Sequence, residues 1–285
     1  MPHHLRSEAP PPAAPSLPVV ADDGVERLRW WRDQDRGVPP AVGRLGVQLT
    51  AVAPAATGVR LPLTDELLLP DGAPTGAVTS LLADMGLTTA VIASLPDLRG
   101  VTTVAMTVEH HGLPPRSGAL LSSCTAGPYA DGRPQHASGA VHDQDGRLVA
   151  SVSGWFLAAP AEALAVDRVG LVREPLADDL QDLLQTAGGP DFTLRARDAL
   201  SNALGSLHGG IGALAAQLAA TAAIEPGWLP LTSSFAYLRP TPRDGTVRVT
   251  GTTVRQGRRT ALATSSITDG QGRLLVTATL VAAAP

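Results

Sequence analysis

The chain repeats itself, and that constrains its fold more than any single residue does. Thr75-Gly76-Ala77-Val78 and the residues after it, up to Asp84, align with His208-Gly209-Gly210-Ile211 and its continuation up to Gln217 at a constant offset of 133. Val78, Leu81, Leu82, Met85 and Thr89 in the first copy, and Ile211, Leu214, Ala215, Leu218 and Ala222 in the second, recur at the spacing of one helix face. A second alignment, at an offset of 126, pairs residues 143–153 with 269–279, each an Asp- and Gly-bearing turn feeding an alternating apolar run. Between helix and turn lie strand-like runs at 102–109 and 119–126 in the first copy and at 231–238 and 246–254 in the second. Each copy therefore reads as a leading strand, a central helix and four antiparallel strands, an α+β unit in which a sheet wraps one helix.

At 285 residues the chain has room for two such units, each large enough to bury a core. The expected division is a disordered Pro- and Ala-rich tail over 1–20, a first unit over 21–163 and a second over 164–285. The first unit should begin with a helix at 24–34 and a strand near 45–52, and a polar helix near 176–184 should lead into the second. Aromatic residues make up only 3%, so aliphatic side chains must build the cores. A net charge of -4 gives no whole-molecule attraction to nucleic acid or an anionic membrane. The lone Cys124 excludes an internal disulfide and any cysteine-based zinc site, and a reducing cytoplasmic setting follows as the expectation. No secretory leader is visible at the start, and the apolar stretch 207–224 is too short and too polar to span a bilayer.

Asn202-Ala203-Leu204-Gly205-Ser206-Leu207-His208-Gly209-Gly210, followed by an Ala-rich helix, resembles the Asn-x-x-Gly-x-Leu-His-Gly-Gly motif of hotdog-fold thioesterases of the phenylacetate-pathway and 4-hydroxybenzoyl-CoA type. The resemblance covers about residues 42–158 and 190–283 and implies two tandem hotdog domains related by a pseudo-two-fold axis. In that family an acid stands nine positions after the His, and the active site lies between two subunits. Here the parts are divided. The second copy has Asn202, His208 and Gly209 but Gln217 at the acid's position, while the first has Asp84 but Leu69 and Thr75 at those of Asn and His. A two-fold pairing would complete one site and leave its mate without both acid and polariser.

The resemblance implies hydrolysis of an acyl-CoA or acyl-carrier thioester at that one composite site, without a cofactor. Gly209, at a helix N-terminus, would offer its N–H to the carbonyl oxygen, Asn202 a second N–H, and Asp84 would act as general base or nucleophile. His208 would orient the loop, Gly210 would border the substrate, and a hydroxyl from Thr103, or from its neighbour Thr102, would hold the water. Arg255 and Arg258, in a turn-type sequence around Gly257, are candidates for a substrate phosphate. His110-His111 lack supporting ligands at useful spacing, and no metal site is assigned. Two other readings compete: a non-catalytic protein that binds acyl thioesters, and an acyl-thioester hydratase or dehydratase, which would need an acid closer to His208 in its own copy. Association of the fused pair into a larger homo-oligomer stays open.

Overall fold

The computed structural model describes residues 23–34, 38–160, 189–241 and 245–285. The expected tail, the boundary near 163 and the polar helix at 176–184 lie outside them. The described chain runs α1 (Gly24–Gln34), α2 (Pro40–Arg44), β1 (Gln48–Ala53), β2 (Ala56–Leu63), α3 (Gly76–Ile92), β3 (Val101–His110), β4 (Gly118–Ala126), β5 (Gln135–Asp143) and β6 (Leu148–Ala158). The second copy follows with β7 (Asp191–Arg195), α4 (Gly209–Ala222), β8 (Leu229–Tyr237), β9 (Thr246–Gln256), β10 (Thr260–Thr268) and β11 (Leu274–Ala283).

All eleven strands form one antiparallel sheet in the order β1-β2-β4-β5-β6-β3-β8-β11-β10-β9-β7. The order reads symmetrically outward from β3 and β8, which join the copies through pairs from Ala105↔Ala236 to Glu109↔Thr232. Each half of the sheet curls around its own helix, so the molecule is a double hotdog. Both strands at the join carry a matching irregularity: β3 slips against β6 between Thr103 and Ala105, and β8 slips against β11 between Pro230 and Thr232. A bulge re-aims the side chains beside it, and both positions point toward a helix N-terminus.

The spacing predicted one apolar face per helix, but α3 is buried on almost every side. Its own sheet covers one side, and α4, buried from Gly210 to Ala220, covers another. Ala, Gly, Leu and Val all around the helix suit that sandwiched position. Strand β1 falls near the expected 45–52, and β2, its hairpin partner, extends the first half beyond expectation. The turn between them consists of Pro54 and Ala55, with Ala55 at φ +56, the backbone of a type II turn without the glycine that would have announced it.

Candidate active site

The segment 200–208 is a tight loop before α4. Asn202 organises it: the side-chain Oδ1 accepts N–H bonds from Leu204 (2.9 Å) and Ser206 (3.1 Å), and Nδ2 donates to Ser206 Oγ at 3.0 Å. Gly205 supplies the positive φ, +76°, at the turn. The loop is anchored by His208 N–H to Leu200 O, 2.8 Å. His208 is then the N-cap of α4, and its Nδ1 accepts the Gly210 N–H at 3.0 Å. An acceptor Nδ1 assigns the proton to Nε2 and leaves the ring neutral. Burial pushes the His208 pKa down, which supports that state, while the nearby Asp84 pulls it back up. Nδ1 lies 3.5 Å from Asp84 Oδ2, but it is committed to the Gly210 N–H, so the contact is a close approach and not an ion pair.

Asp84 reaches this loop from the other copy. It lies in the middle of α3 and is 2% exposed. Its Oδ1 accepts the Thr103 hydroxyl at 2.7 Å, and Thr102 instead donates to Leu157 O at 3.2 Å. A Cβ on Gly209 would lie 2.9 and 3.0 Å from the two carboxylate oxygens and 3.1 Å from Thr103 Oγ1. A Cβ on Gly210 would lie 2.8 Å from Leu81 O. The paired glycines thus let the N-terminus of α4 press against α3 at the carboxylate. Burial raises the Asp84 pKa, and His208, Thr103 and the Gly210 N–H each oppose the rise.

Gly209 is the first residue of α4, so its N–H has no partner within the helix. Its carbonyl accepts the Tyr237 hydroxyl at 2.9 Å. Burial, with the nearby Asp84, pushes the Tyr237 pKa well up and keeps the phenol a donor. A cavity of about 230 Å³ opens beside these groups, bordered by Asp84, Thr88, Thr103, Asn202, His208, Gly209 and Tyr237 among others. Tyr237, Ser206 and Thr88 escaped the sequence reading. Only the end of an apolar strand run marked Tyr237, and its role depends on that strand's register.

The pseudo-equivalent position is filled. Ser80 Oγ donates to Gln217 Oε1, Gln217 Nε2 lies 3.4 Å from His110 Nε2, and that nitrogen is 3.1 Å from Ser233 Oγ. A Cβ on Gly76 would meet Pro230 at 2.9 Å and Gln217 and His110 at 3.2 Å each. Pro230 and His110 thus stand where Thr103 and Tyr237 stand on the other side. His111 points the other way, to Ser151 Oγ at 2.9 Å, and no cluster of three or more metal-ligating side chains occurs among the described residues.

Arg255 and Arg258 lie away from the cavity beside Gly209. Arg255 is in β9, Arg258 follows it in the turn before β10, and both are exposed, with neither bordering the cavity. That end of β9 lies against the C-terminus of α4, where Thr253 bonds Ala223 O. The 14-residue helix separates it from Gly209 by about 20 Å. The arginine at the cavity rim is Arg239, with Nη1 donating to Leu274 O at 2.7 Å. No described helix is long and apolar enough to cross a membrane.

Sheet, helices and paired glycines define a double hotdog of the kind found in thioesterases. Residues 198–283 match the family of acyl-CoA thioesterase N-terminal domains, and no curated protein matches the chain in sequence. Among solved structures, the chain is similar to a Lactobacillus plantarum protein provisionally named an oleoyl thioesterase: 9% identity, 81% of this chain and 97% of that one covered, TM-score 0.57. It is also similar to a 12:0-ACP thioesterase from Umbellularia californica (10% identity, 80% and 94% covered, TM-score 0.54). A third is an acyl-ACP thioesterase from Bacteroides thetaiotaomicron (11%, 80% and 98%, TM-score 0.53). Coverage of nearly the whole of each neighbour by most of this chain fits a tandem pair, and at these identities the likeness is one of fold.

Proposed function

We propose that the cavity between α3 and α4 hydrolyses acyl thioesters, with coenzyme A or a carrier protein as the thiol. One observation carries this reading: a fully buried acid from one copy lies against the unpaired helix-terminal N–H of the other, beside an open cavity. The scissile carbonyl oxygen takes the Gly209 N–H, where the dipole of α4 is positive and charge builds up as the carbonyl is attacked. Asp84 acts on water as general base, or on the carbonyl directly as nucleophile. Its raised pKa brings it closer to a working pH than an exposed carboxylate would be. Thr103 fixes one carboxylate oxygen and leaves the other to the reaction.

His208 holds the loop through Nδ1, and Asn202 does so through Oδ1 and one Nδ2 hydrogen, which leaves its second Nδ2 hydrogen for the carbonyl oxygen in the cavity it borders. Tyr237 orients the Gly209 peptide. The same disposition of parts argues for a single productive site, the mate being packed shut around Gln217. The direct test is thiol release from a panel of acyl-CoA and acyl-carrier-protein thioesters. Asp84→Ala is expected to lower kcat/KM by about 10²–10⁴. Gly209→Ala should lower it by about 10² or more, since its methyl displaces the carboxylate and crowds the oxyanion position. Wild-type rates for Asp84→Ala would end the proposal.

A further inference from the structure

Behind the reaction cavity lies a second, smaller one of about 40 Å³. It is not between the two central helices. It lies inside the first copy, under α1 and beside the β1–β2 hairpin, walled by Trp31, Val42, Val47, Leu49, Met85 and Ile92. Thr88 and His208 border both cavities, so the two adjoin at that pair. Thr88 is one helical turn beyond Asp84, about 6 Å along α3, with Met85 before it and Ile92 after it on the same helix. Trp31, 7% exposed on α1, stands across the apolar cavity from that helix.

We propose that this cavity receives the tail of the acyl group, that it selects acyl chains of about six to eight carbons, and that Trp31 sets the limit. The inference rests on the hydrolytic reading of the site and names its substrate class. With the carbonyl held at Gly209, the first three or four carbons run along α3 toward Thr88, which borders both cavities. A volume of 40 Å³ then holds about three or four water- or methylene-sized groups, at about 10–15 Å³ each. An apolar void of this kind stays dry, so a tail entering it displaces no bound water and gains its full transfer free energy. At about 0.8 kcal/mol per buried methylene, each carbon seated there raises kcat/KM about four-fold. A longer tail meets the indole of Trp31 and must bend back or displace α1.

The experiment is a chain-length profile from two to sixteen carbons of acyl-CoA for the wild type, Trp31→Ala and Val42→Phe, with folding checked by thermal unfolding. The wild type is expected to climb about four-fold per carbon to a maximum at six to eight and to fall beyond it. Trp31→Ala should move the maximum at least two carbons longer. Val42→Phe fills the void and should lower hexanoyl-CoA turnover at least ten-fold while acetyl-CoA turnover changes less than two-fold. A profile that moves in neither folded variant overturns the subsite and leaves hydrolysis standing. If the wild type hydrolyses no acyl-CoA, the hydrolytic reading fails by itself, and calorimetry of hexanoyl-CoA against acetyl-CoA binding decides the subsite. Tighter hexanoyl-CoA binding that Val42→Phe abolishes supports it, and equal affinity for the two ligands overturns it.

Discussion

Burial shifts two titratable residues in opposite directions, and they act in opposite pH windows. His110 has its pKa pushed down to about 4 by burial and by the charge of His111, and its Nδ1 has no partner. With the folded value below the unfolded 6.5, its stabilising effect is complete above pH 6.5 and is lost as pH falls toward 4. The shift corresponds to about 3 kcal/mol. His110→Gln should therefore flatten the fall in urea midpoint between pH 6.5 and 4, and an unchanged slope would show that other groups carry the acid transition. Asp84 runs the other way: its folded pKa is raised, so the stability linked to it is present at low pH and is lost as pH rises through that value. In turnover, kcat/KM should rise with pH through one ionisation above the ordinary carboxylate value of about 3.9. Thr103→Val removes a hydrogen bond that favours the charged form and should move that inflection to still higher pH, a displacement that loss of packing alone does not produce.

Each central helix touches its sheet so closely that one partner at the crossing cannot carry a side chain, and the copies solve this in opposite ways. On α3 the glycine is in the helix: a Cβ on Gly86 would lie 2.4 Å from Ser122 Oγ and 3.0 Å from Cys124 Sγ. On α4 the equivalent position, 133 residues on, is Ala219, and the glycine is in the strand. A Cβ on Gly251 would lie 2.0 Å from Ala219 O. A serine hydroxyl can rotate aside, which leaves Ser122 Cβ at 3.0 Å, whereas a helix carbonyl cannot. Gly86→Ala should therefore cost about 1 kcal/mol, and Gly251→Ala about 3 kcal/mol or more, as over-packing that moves backbone does. Denaturant midpoints of the two variants decide it, and equal losses would refute the account. The exchange also shows what the sequence could carry. Helices, strand runs and turns repeat in type and period, so α1, α3, α4 and the runs of β1, β3, β4, β6, β8, β9 and β11 were legible to within a few residues, while β5, β7 and β10 were expected only as members of each repeat. Strand β2 was not legible, because the turn that leads into it uses Pro54 and a positive-φ alanine. Nor was the full burial of α3, which depends on what packs against its far side.

For the molecule as a whole, the central question is why two copies of one fold differ at their helix-end junctions, one bordering a cavity and the other packed with side chains. Asp84, Thr103, His208, Gly209 and Tyr237 on one side correspond to Gln217, Pro230, Thr75, Gly76 and His110 on the other, and both sets sit at the same junction of helix ends beside the β3–β8 seam. The motif made the division of acid and loop visible in the sequence. It did not show that the mate is occupied, because Ser80, Ser233 and His110 come together only through the sheet register. Gln217 Oε1 accepts from Ser80, and its Nε2 faces His110. An acid put there would lose the amide donor, face a neutral imidazole, and find a proline in place of the hydroxyl that holds Asp84. Gln217→Asp is accordingly expected to restore less than a hundredth of wild-type turnover in an Asp84→Asn background. It should also lower stability by about 1–3 kcal/mol, the range for leaving a buried hydrogen-bonding group without its partner. Adding Thr75→His and Pro230→Thr rebuilds the cap and the hydroxyl but not the space, which His110 still fills, so the triple replacement should stay inactive until His110 is also made smaller. Recovery of turnover with Gln217→Asp alone would mean that the two junctions differ by one side chain and not by their packing.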